Sequence, residues 1–354
     1  MTADGEGFLY PVVDASQCIH CGACERVCPA LLQGSGPKND SSAVYAYSKD
    51  HDLRMKSSSG GIFGELAKGI LEREGIVFGV SLQNGTRAYH HSVHTFEELS
   101  QLQGSKYLQS ELGDSYVQAE NFLKAGRTVL FSGTPCQIVG LKNYLGKTYT
   151  SLYTVAVACH GVPSPKLWAM RYREVGLPAE ETSVVNFRHK FPDWRNYSLK
   201  FSNNGKTLTT IRSREDPYMQ LYLHDYSLRP SCYQCKQKFP NIASDLVLCD
   251  YWGVELVHPE LANEPGVSLV LINTSSGKEL LGMVAHRMCV GETDLLRGLK
   301  GNPSLTDSAK IPKDRDAFFD NCETMTSKQL ADKYLPRKSK LSKLLRKIKY
   351  IFSK

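Results

Sequence analysis

The 354-residue sequence lacks long apolar runs, and this excludes several classes of protein. No stretch approaches the roughly 20 apolar residues that a transmembrane helix needs. No G-x-G-x-x-G motif is present, so a Rossmann dinucleotide site has no support. Residues 1–11 contain acids and no apolar segment, unlike a secretory signal peptide. We therefore expect a cytoplasmic protein without a disulfide framework, in which cysteine thiolates are available to bind metal.

The body of the chain also lacks a basic excess. The sequence has 43 Lys and Arg against 36 Asp and Glu, but residues 336–354 hold eight of the basic residues and no acid. The remainder has 35 basic against 36 acidic residues, a balance that does not support a nucleic-acid-binding body. The tail predicts either a helix on an anionic membrane surface or a terminal helix packed on the body. Its apolar residues recur at helical spacing: Leu341, Leu344, Leu345, Ile348, Ile351 and Phe352.

From about residue 43 onward, short apolar segments alternate with helix-like segments. This alternation predicts an α/β body with substantial parallel pairing. The predicted strands are 75–80, 128–131, 152–158, 246–248 and 268–272. One predicted helix begins near Gly61, and another spans 113–125. The predicted divisions are a cysteine-bearing module at 1–33, a linker at 34–42, α/β domains at 43–125 and 126–300, and a helical basic tail at 301–354.

The strongest chemical signal is the run Cys18, Cys21, Cys24, Cys28 and Pro29. The spacing C-x2-C-x2-C-x3-C-P is typical of a ferredoxin-type [4Fe–4S] site, whereas zinc sites usually pair C-x2-C with a second, distant pair. In ferredoxins with two such motifs, the fourth cysteine of each motif binds the other cluster. Only one motif is present here, so the module resembles half of a ferredoxin. Either Cys28 bends back, or a cysteine from elsewhere or from a partner completes the site, or a first motif lies upstream of Met1.

A second set of four cysteines is spread along the body. Thr134, Pro135 and Gln137 form a predicted capping box that places Cys136 in a first helical turn, where the helix dipole favours a thiolate. Cys159 follows the next predicted strand, so both cysteines should lie at the carboxyl edge of the sheet. Cys232 and Cys235 form a C-x2-C pair. These four either bind a second [4Fe–4S] cluster or are small buried residues without a ligand.

Two polar segments indicate a ligand pocket more weakly. Serines and glycines open a predicted helix at residues 56–63, where backbone N–H groups could bind a phosphate or merely form a helix cap. The segment 104–110 is polar and carries one cation, Lys106.

Together these segments resemble the coenzyme F420 hydrogenase/dehydrogenase beta-subunit family. The resemblance spans roughly residues 8–290. It is carried by the ferredoxin motif and by residues 57–61, 104–107, 133–137, 159–164, 229–235, 244–245 and 250–253. Relatives include plant 7-hydroxymethyl chlorophyll a reductase, and the basic tail resembles those of stand-alone bacterial members associated with surface-polysaccharide gene clusters. Family members with a ferredoxin module usually carry two cysteine motifs, so the single motif is a departure.

The resemblance implies FAD and one or two [4Fe–4S] clusters in an α/β flavin-binding body. It implies cluster ligands at Cys18, Cys21, Cys24, Cys28, Cys136, Cys159, Cys232 and Cys235. It implies a flavin site at Ser58, Ser59, Gly60, Gly61, Ser105, Lys106, Tyr107, Gly133 and Thr134. Lys106 and His160 are candidates for electrostatic or proton-transfer roles near the flavin, unless each merely pairs with a carboxylate or a backbone group.

The expected function is that of an iron–sulfur flavoenzyme. It would pass electrons from a ferredoxin-like donor through the clusters to FAD, and then to an organic substrate or a deazaflavin. One alternative is a non-catalytic electron-transfer subunit of a partner oxidoreductase. Another is a scaffold that has lost its flavin and binds a glycan-assembly partner at the inner face of the membrane.

Overall fold

The computed structural model describes residues 1–31, 41–177 and 183–336. Most of the predicted linker at 34–42 and the apolar pattern from Leu341 to Phe352 lie outside these residues. The strands are β1 Thr2–Ala3, β2 Leu9–Tyr10, β3 Ser42–Ser48, β4 Ile76–Gln83, β5 Arg87–Val93, β6 Ser110–Glu111, β7 Val129–Gly133, β8 Leu152–Val157, β9 Ser183–His189, β10 Ser198–Asn203, β11 Lys206–Arg212, β12 Leu246–Asp250, β13 Ser268–Ile272 and β14 Met288–Glu292.

The α-helices include the predicted ones near Gly61 and at 113–125. They are α1 Ala23–Val27, α2 His51–Lys56, α3 Ile62–Leu71, α4 Ser115–Lys124, α5 Pro135–Leu145, α6 Pro165–Glu174, α7 Pro217–Leu223, α8 Ser275–Val284, α9 Leu295–Lys300, α10 Pro303–Thr306, α11 Arg315–Asn321 and α12 Ser327–Tyr334. No helix in the described ranges is both long and apolar enough to cross a membrane.

A nine-stranded mixed sheet forms the centre of the molecule, in the order β14-β3-β13-β12-β8-β7-β4-β5-β6. Its middle is parallel, because β12, β8, β7 and β4 pair in parallel. The predicted α/β class is therefore confirmed. The flanking pairs β12–β13, β13–β3, β3–β14 and β4–β5 are antiparallel. In the last of these, a tight turn with Asn84 and Gly85 at positive φ reverses the chain.

Both faces of this sheet are covered, which explains why its central strands are continuous apolar runs. On one face, Phe78 and Phe131 pack with Ile138 and Leu141 of α5. On the other face, Val77, Leu130 and Val155 pack with residues of α3 and α8, including Leu66 and Leu280. The parallel centre is thus fixed between two layers of helices, and the carboxyl ends of its strands open on one edge.

A smaller unit supports that edge. Strands β9, β10 and β11 form an antiparallel sheet. A third apolar core joins this sheet to α6, α7, α11 and α12 through the fully buried Trp168, Phe187, Phe201, Tyr218 and Phe318. Leu108 and Tyr107 belong to the same core, so this unit also holds the segment that follows Gly104.

Candidate functional site

The site begins where β7 turns into α5. Thr134 caps the helix, Pro135 occupies its first turn, and Thr134 and Gln137 form the predicted capping box. Cys136 therefore lies in the first helical turn, as the sequence predicted. Cys159 follows β8, the next parallel strand, so both cysteines lie at the same edge of the sheet.

All four body cysteines line one small cavity. Cys136, Cys159, Cys232 and Cys235 contribute to its wall. The Sγ of Cys136 lies 3.1 Å from Thr134 Oγ1, and the backbone N–H of Val162 donates to the Sγ of Cys232 at 3.4 Å. The fold thus brings together thiols that are up to about a hundred residues apart in the sequence, and the donor set fits an iron–sulfur cluster.

Burial dominates the ionisation of these thiols. It raises the pKa of Cys136, Cys159 and Cys232, the last to about 11, and the neighbouring thiols raise each of these pKa values further. At Cys136 the helix start acts in the expected direction, because hydrogen bonds from Thr134 and from backbone N–H groups lower the pKa, but burial outweighs them and the net shift is upward. Metal binding here must displace protons from the sulfurs.

The N-terminal motif forms a separate group of cysteines. Gly22 precedes α1 with a left-handed φ of 66°, which supports the expected tight loop. Cys21 and Cys24 are exposed, whereas Cys18 and Cys28 are half-buried. These four outer cysteines thus lie near the surface. The four cysteines of the small cavity are called the inner cysteines below.

The end of this motif contacts the segments that carry the inner cysteines. Asn143 of α5 donates to the carbonyl of Val27 at 3.4 Å. Gln237, two residues after Cys235 and part of the small cavity's wall, donates to the carbonyl of Pro29 at 3.3 Å. The segments that carry the two cysteine groups are therefore in contact through the backbone on either side of Cys28.

A second, larger cavity of ≈ 280 Å³ opens at the carboxyl ends of the parallel strands. Gly133 ends β7, Val157 ends β8 and Asp250 ends β12, and all three line it. This is the position where open α/β sheets bind ligands. The predicted flavin-site residues that line it are Ser58, Ser59, Gly61, Ser105, Lys106, Tyr107, Gly133 and Thr134.

Gly60 is the exception among the predicted flavin-site residues, because it is not part of the cavity wall. A Cβ there would lie 2.5 Å from the carbonyl oxygen of Ala46, so the glycine permits close packing against β3. Gly61, at φ 86°, leaves the start of α3 without a side-chain cap. Gly61 and Ile62 both line the cavity, so this uncapped helix start faces it.

The serine hydroxyls of this loop are occupied by contacts within the protein. Ser58 Oγ lies 2.9 Å from Ser105 Oγ and accepts from the Ser105 N–H at 2.9 Å. Ser59 Oγ donates to the carbonyl of Val267 at 2.9 Å, and Ser57 Oγ to that of Leu53 at 2.8 Å. The serines therefore shape the cavity and join its two loops.

Lys106 supplies a cation to the cavity wall. Its Nζ donates to the carbonyls of Gln101 at 3.1 Å and Gln103 at 2.8 Å. Lys106 is half-buried, and burial lowers its pKa to about 7. A lysine in this state attracts an anion only while it is protonated.

Arg188 and Asp250 were missed by the sequence analysis. The Arg188 guanidinium is buried in the cavity wall, and its Nη1 and Nη2 donate to Asp250 at 2.8 and 3.1 Å, to the hydroxyl of Tyr107 at 3.1 Å and to the carbonyl of Ser58 at 3.4 Å. Its Nε is buried without a hydrogen-bond partner among the described residues. Asp250 follows a predicted strand and could have been found by the reasoning that placed Cys159, whereas no sequence signal marks Arg188.

His160 lines the small cavity and not the large one. Its Nε2 lies 2.7 Å from the Oδ1 of Asp225, and its ring stands edge-on to Tyr222. Both Lys106 and His160 were expected near the flavin. Of the two, Lys106 lines the large cavity and His160 does not.

The two cavities share a wall. Cys159, Gly161 and Val162 line both. Across residues 1–31, 41–177 and 183–336, no three His, Cys, Asp or Glu side chains form a group that could hold a metal ion as they stand. A cubane differs from a single ion because each thiolate binds a different iron, so its ligands need not meet at one point.

Three family models match the chain. The model "Coenzyme F420 hydrogenase/dehydrogenase, beta subunit N-term" matches residues 43–115, and the corresponding C-terminal model matches residues 126–294. A 4Fe-4S binding domain matches residues 10–33. No match to a curated protein was found. A chain of the F420-reducing [NiFe] hydrogenase complex from Methanosarcina barkeri is similar at 17% identity, over 78% of this chain and 92% of that chain, with a TM-score of 0.47.

These matches define an iron–sulfur protein related to subunits of oxidoreductases. The chain belongs to the coenzyme F420 hydrogenase/dehydrogenase beta-subunit family.

Proposed function

We propose that this protein is an iron–sulfur flavoenzyme that passes electrons from a ferredoxin-like donor to FAD and on to an organic substrate or a deazaflavin. The observation that carries the proposal is the wall shared by the two cavities, in which Cys159, one of the four inner cysteines, lies with Gly161 and Val162. Clusters exchange single electrons, whereas a flavin stores two and transfers a hydride. A thiol-lined site next to a ligand cavity suits that conversion.

The residues of the large cavity fit a flavin cofactor. The uncapped start of α3 and the Lys106 ammonium offer donors and positive charge for phosphate oxygens. The buried, unpartnered Nε of Arg188 offers a further donor for a carbonyl or anionic oxygen. Because Asp250 neutralises Arg188, this end of the cavity suits an uncharged polar group better than a phosphate.

The route into the protein starts at the N-terminal motif. Cys21 and Cys24 are exposed and so accessible to a donor, and the residues after Cys28 contact Gln237 beside the inner thiols. The order from surface to cavity is then the outer cysteines, the inner cysteines and the flavin. Use of this chemistry in surface-polysaccharide metabolism stays a prediction from the sequence.

Anaerobic purification followed by iron, sulfide and flavin determination tests the proposal. We expect FAD together with about eight iron atoms per chain, as two cubanes require. Clusters without flavin would instead support an electron-transfer subunit that serves a partner oxidoreductase. A protein that binds neither after anaerobic reconstitution would contradict both functions.

A further inference from the structure

Thr134 lies between two acceptors for its hydroxyl hydrogen. Its Oγ1 is 3.1 Å from the Sγ of Cys136 and 3.1 Å from the Oε1 of Gln137. A hydroxyl has one hydrogen, so Thr134 donates to only one of these atoms at a time. Rotation about the Cβ–Oγ1 bond exchanges them without moving a heavy atom.

The orientation of Gln137 is fixed by a chain of hydrogen bonds. Burial lowers the pKa of His90 to about 4, so its ring is neutral, and its Nε2 must donate to the carbonyl of Ser132 at 3.2 Å. Its Nδ1 then accepts from Ser110 Oγ at 3.1 Å, and Ser110 accepts from the Nε2 of Gln137 at 2.9 Å. The Oε1 of Gln137 therefore faces Thr134, whose backbone N–H it already accepts at 2.9 Å.

The charge on the sulfur decides between the two acceptors. A thiol sulfur is a weak acceptor, whereas hydrogen bonds to an ionised acceptor are roughly twice as strong as neutral ones. Hydrogen bonds to the sulfurs of an iron–sulfur cluster also help to set its reduction potential. The reduced cluster carries more negative charge and so gains more from such a bond than the oxidised cluster.

We propose that the Thr134 hydroxyl is a redox-linked hydrogen-bond donor, which turns from Gln137 to Cys136 when the cluster ligated by that sulfur is reduced, and so stabilises the reduced form. Thr134 is thus a positioning residue that raises the potential of the inner cluster through Cys136. The inference rests on the inner cluster of the proposed function. The Thr134 side chain contacts Cys136, and Thr134 also lines the large cavity.

The test compares Thr134→Val, Thr134→Ser and Gln137→Leu by redox titration of the inner cluster, monitored by electron paramagnetic resonance. Valine has the shape of threonine without the hydroxyl, so we expect a lower midpoint potential. Serine keeps the hydroxyl and should keep the potential. Gln137→Leu removes the competing acceptor, commits the hydroxyl to the sulfur and should raise the potential.

Both Thr134→Val and Gln137→Leu break the capping box, so a purely structural effect would shift both potentials in the same direction. Such a common shift, or an unchanged potential in Thr134→Val, would overturn the inference. If Thr134→Val retains no inner iron, Gln137→Leu decides, and an unchanged or lowered potential there overturns it. A wild-type protein without an inner cluster would refute the proposed function itself, which iron determination shows before any titration.

Discussion

The two groups of cysteines in this chain differ in what brings them together. The outer group, Cys18 to Cys28, lies within eleven consecutive residues around a short helix, and two of its thiols are exposed. The inner group needs β7, β8 and the loop at Cys232 to converge, and its four half-buried cysteines line one small cavity. The outer group is therefore specified by local spacing, whereas the inner group exists only once the sheet has formed.

This difference also separates their chemistry. An exposed group exchanges electrons readily with a partner, whereas a buried group beside a cavity suits transfer to a bound cofactor. In the inner group, burial raises the pKa values of Cys136, Cys159 and Cys232, so metal binding there releases protons.

The largest effect should come from removing one inner thiol. Cys136→Ala should lose about half of the iron, since the cubane loses one of its four cysteine ligands. Cys289 in β14 lines neither cavity, so Cys289→Ala is the matched control and should keep all of the iron. Unchanged iron in Cys136→Ala, or an equal loss in the control, would show that the inner assignment is wrong.

Exposure should decide the order in which iron is lost. With an iron chelator under anaerobic conditions, we expect a fast phase from the outer group and a slow phase from the inner group, because only the outer group has exposed thiols. Cys24→Ala should lack the fast phase and Cys136→Ala the slow one. A fast phase that persists in Cys24→Ala would show that the outer group is not the one that loses iron first.

The large cavity also contains a titrating group, the Lys106 ammonium. Because burial lowers the pKa of Lys106 to about 7, its ammonium is charged below pH 7 and becomes neutral above it. Binding of FAD through its phosphates should therefore weaken as the pH rises above 7. Lys106→Met should bind FAD about tenfold more weakly at pH 6, the equivalent of roughly 1.4 kcal/mol.

Equilibrium dialysis of FAD against the flavin-free protein at pH 6 and pH 8 measures this effect. Lys106→Met should lose the difference between the two pH values that the wild type shows. An equal pH dependence in both proteins would mean that Lys106 does not contact the flavin phosphates.

The smallest effect should appear at the junction between the two groups. Gln237→Leu removes the hydrogen bond to the carbonyl of Pro29 and should weaken the docking of the outer motif by about 0.5–1.5 kcal/mol. Hydrogen exchange at residues 23–31 should become faster. Asn143→Leu removes the longer bond to Val27 and should have a smaller effect. Equal exchange in wild type and Gln237→Leu would show that this bond does not hold the motif.

The sequence predicted the buried strands of the large sheet well, because such strands are continuous apolar runs. The strand at Ser268–Ile272 was predicted with its observed bounds, and the helix predicted at 113–125 is α4 at Ser115–Lys124. The capping box before Cys136 was found because it depends on neighbouring residues only.

Features that depend on distant contacts were not predictable in the same way. The raised pKa of Cys136 results from burial by other segments, which local sequence does not show. Arg188 reaches the cavity from the small sheet, whose strands were not predicted, and its ion pair with Asp250 spans 62 residues of sequence. The family resemblance placed Gly60 in the flavin site, whereas in the structure Gly60 packs closely against β3.

The central claim is that electrons reach the large cavity through the inner cysteines. Anaerobic stopped-flow mixing of the flavin-loaded protein with reduced ferredoxin tests it most directly, with Cys136→Ala beside the wild type. We predict that the wild-type flavin is reduced, whereas the flavin of Cys136→Ala stays oxidised with ferredoxin and is reduced only by dithionite. Reduction of the flavin by ferredoxin at the same rate in both proteins would contradict the account.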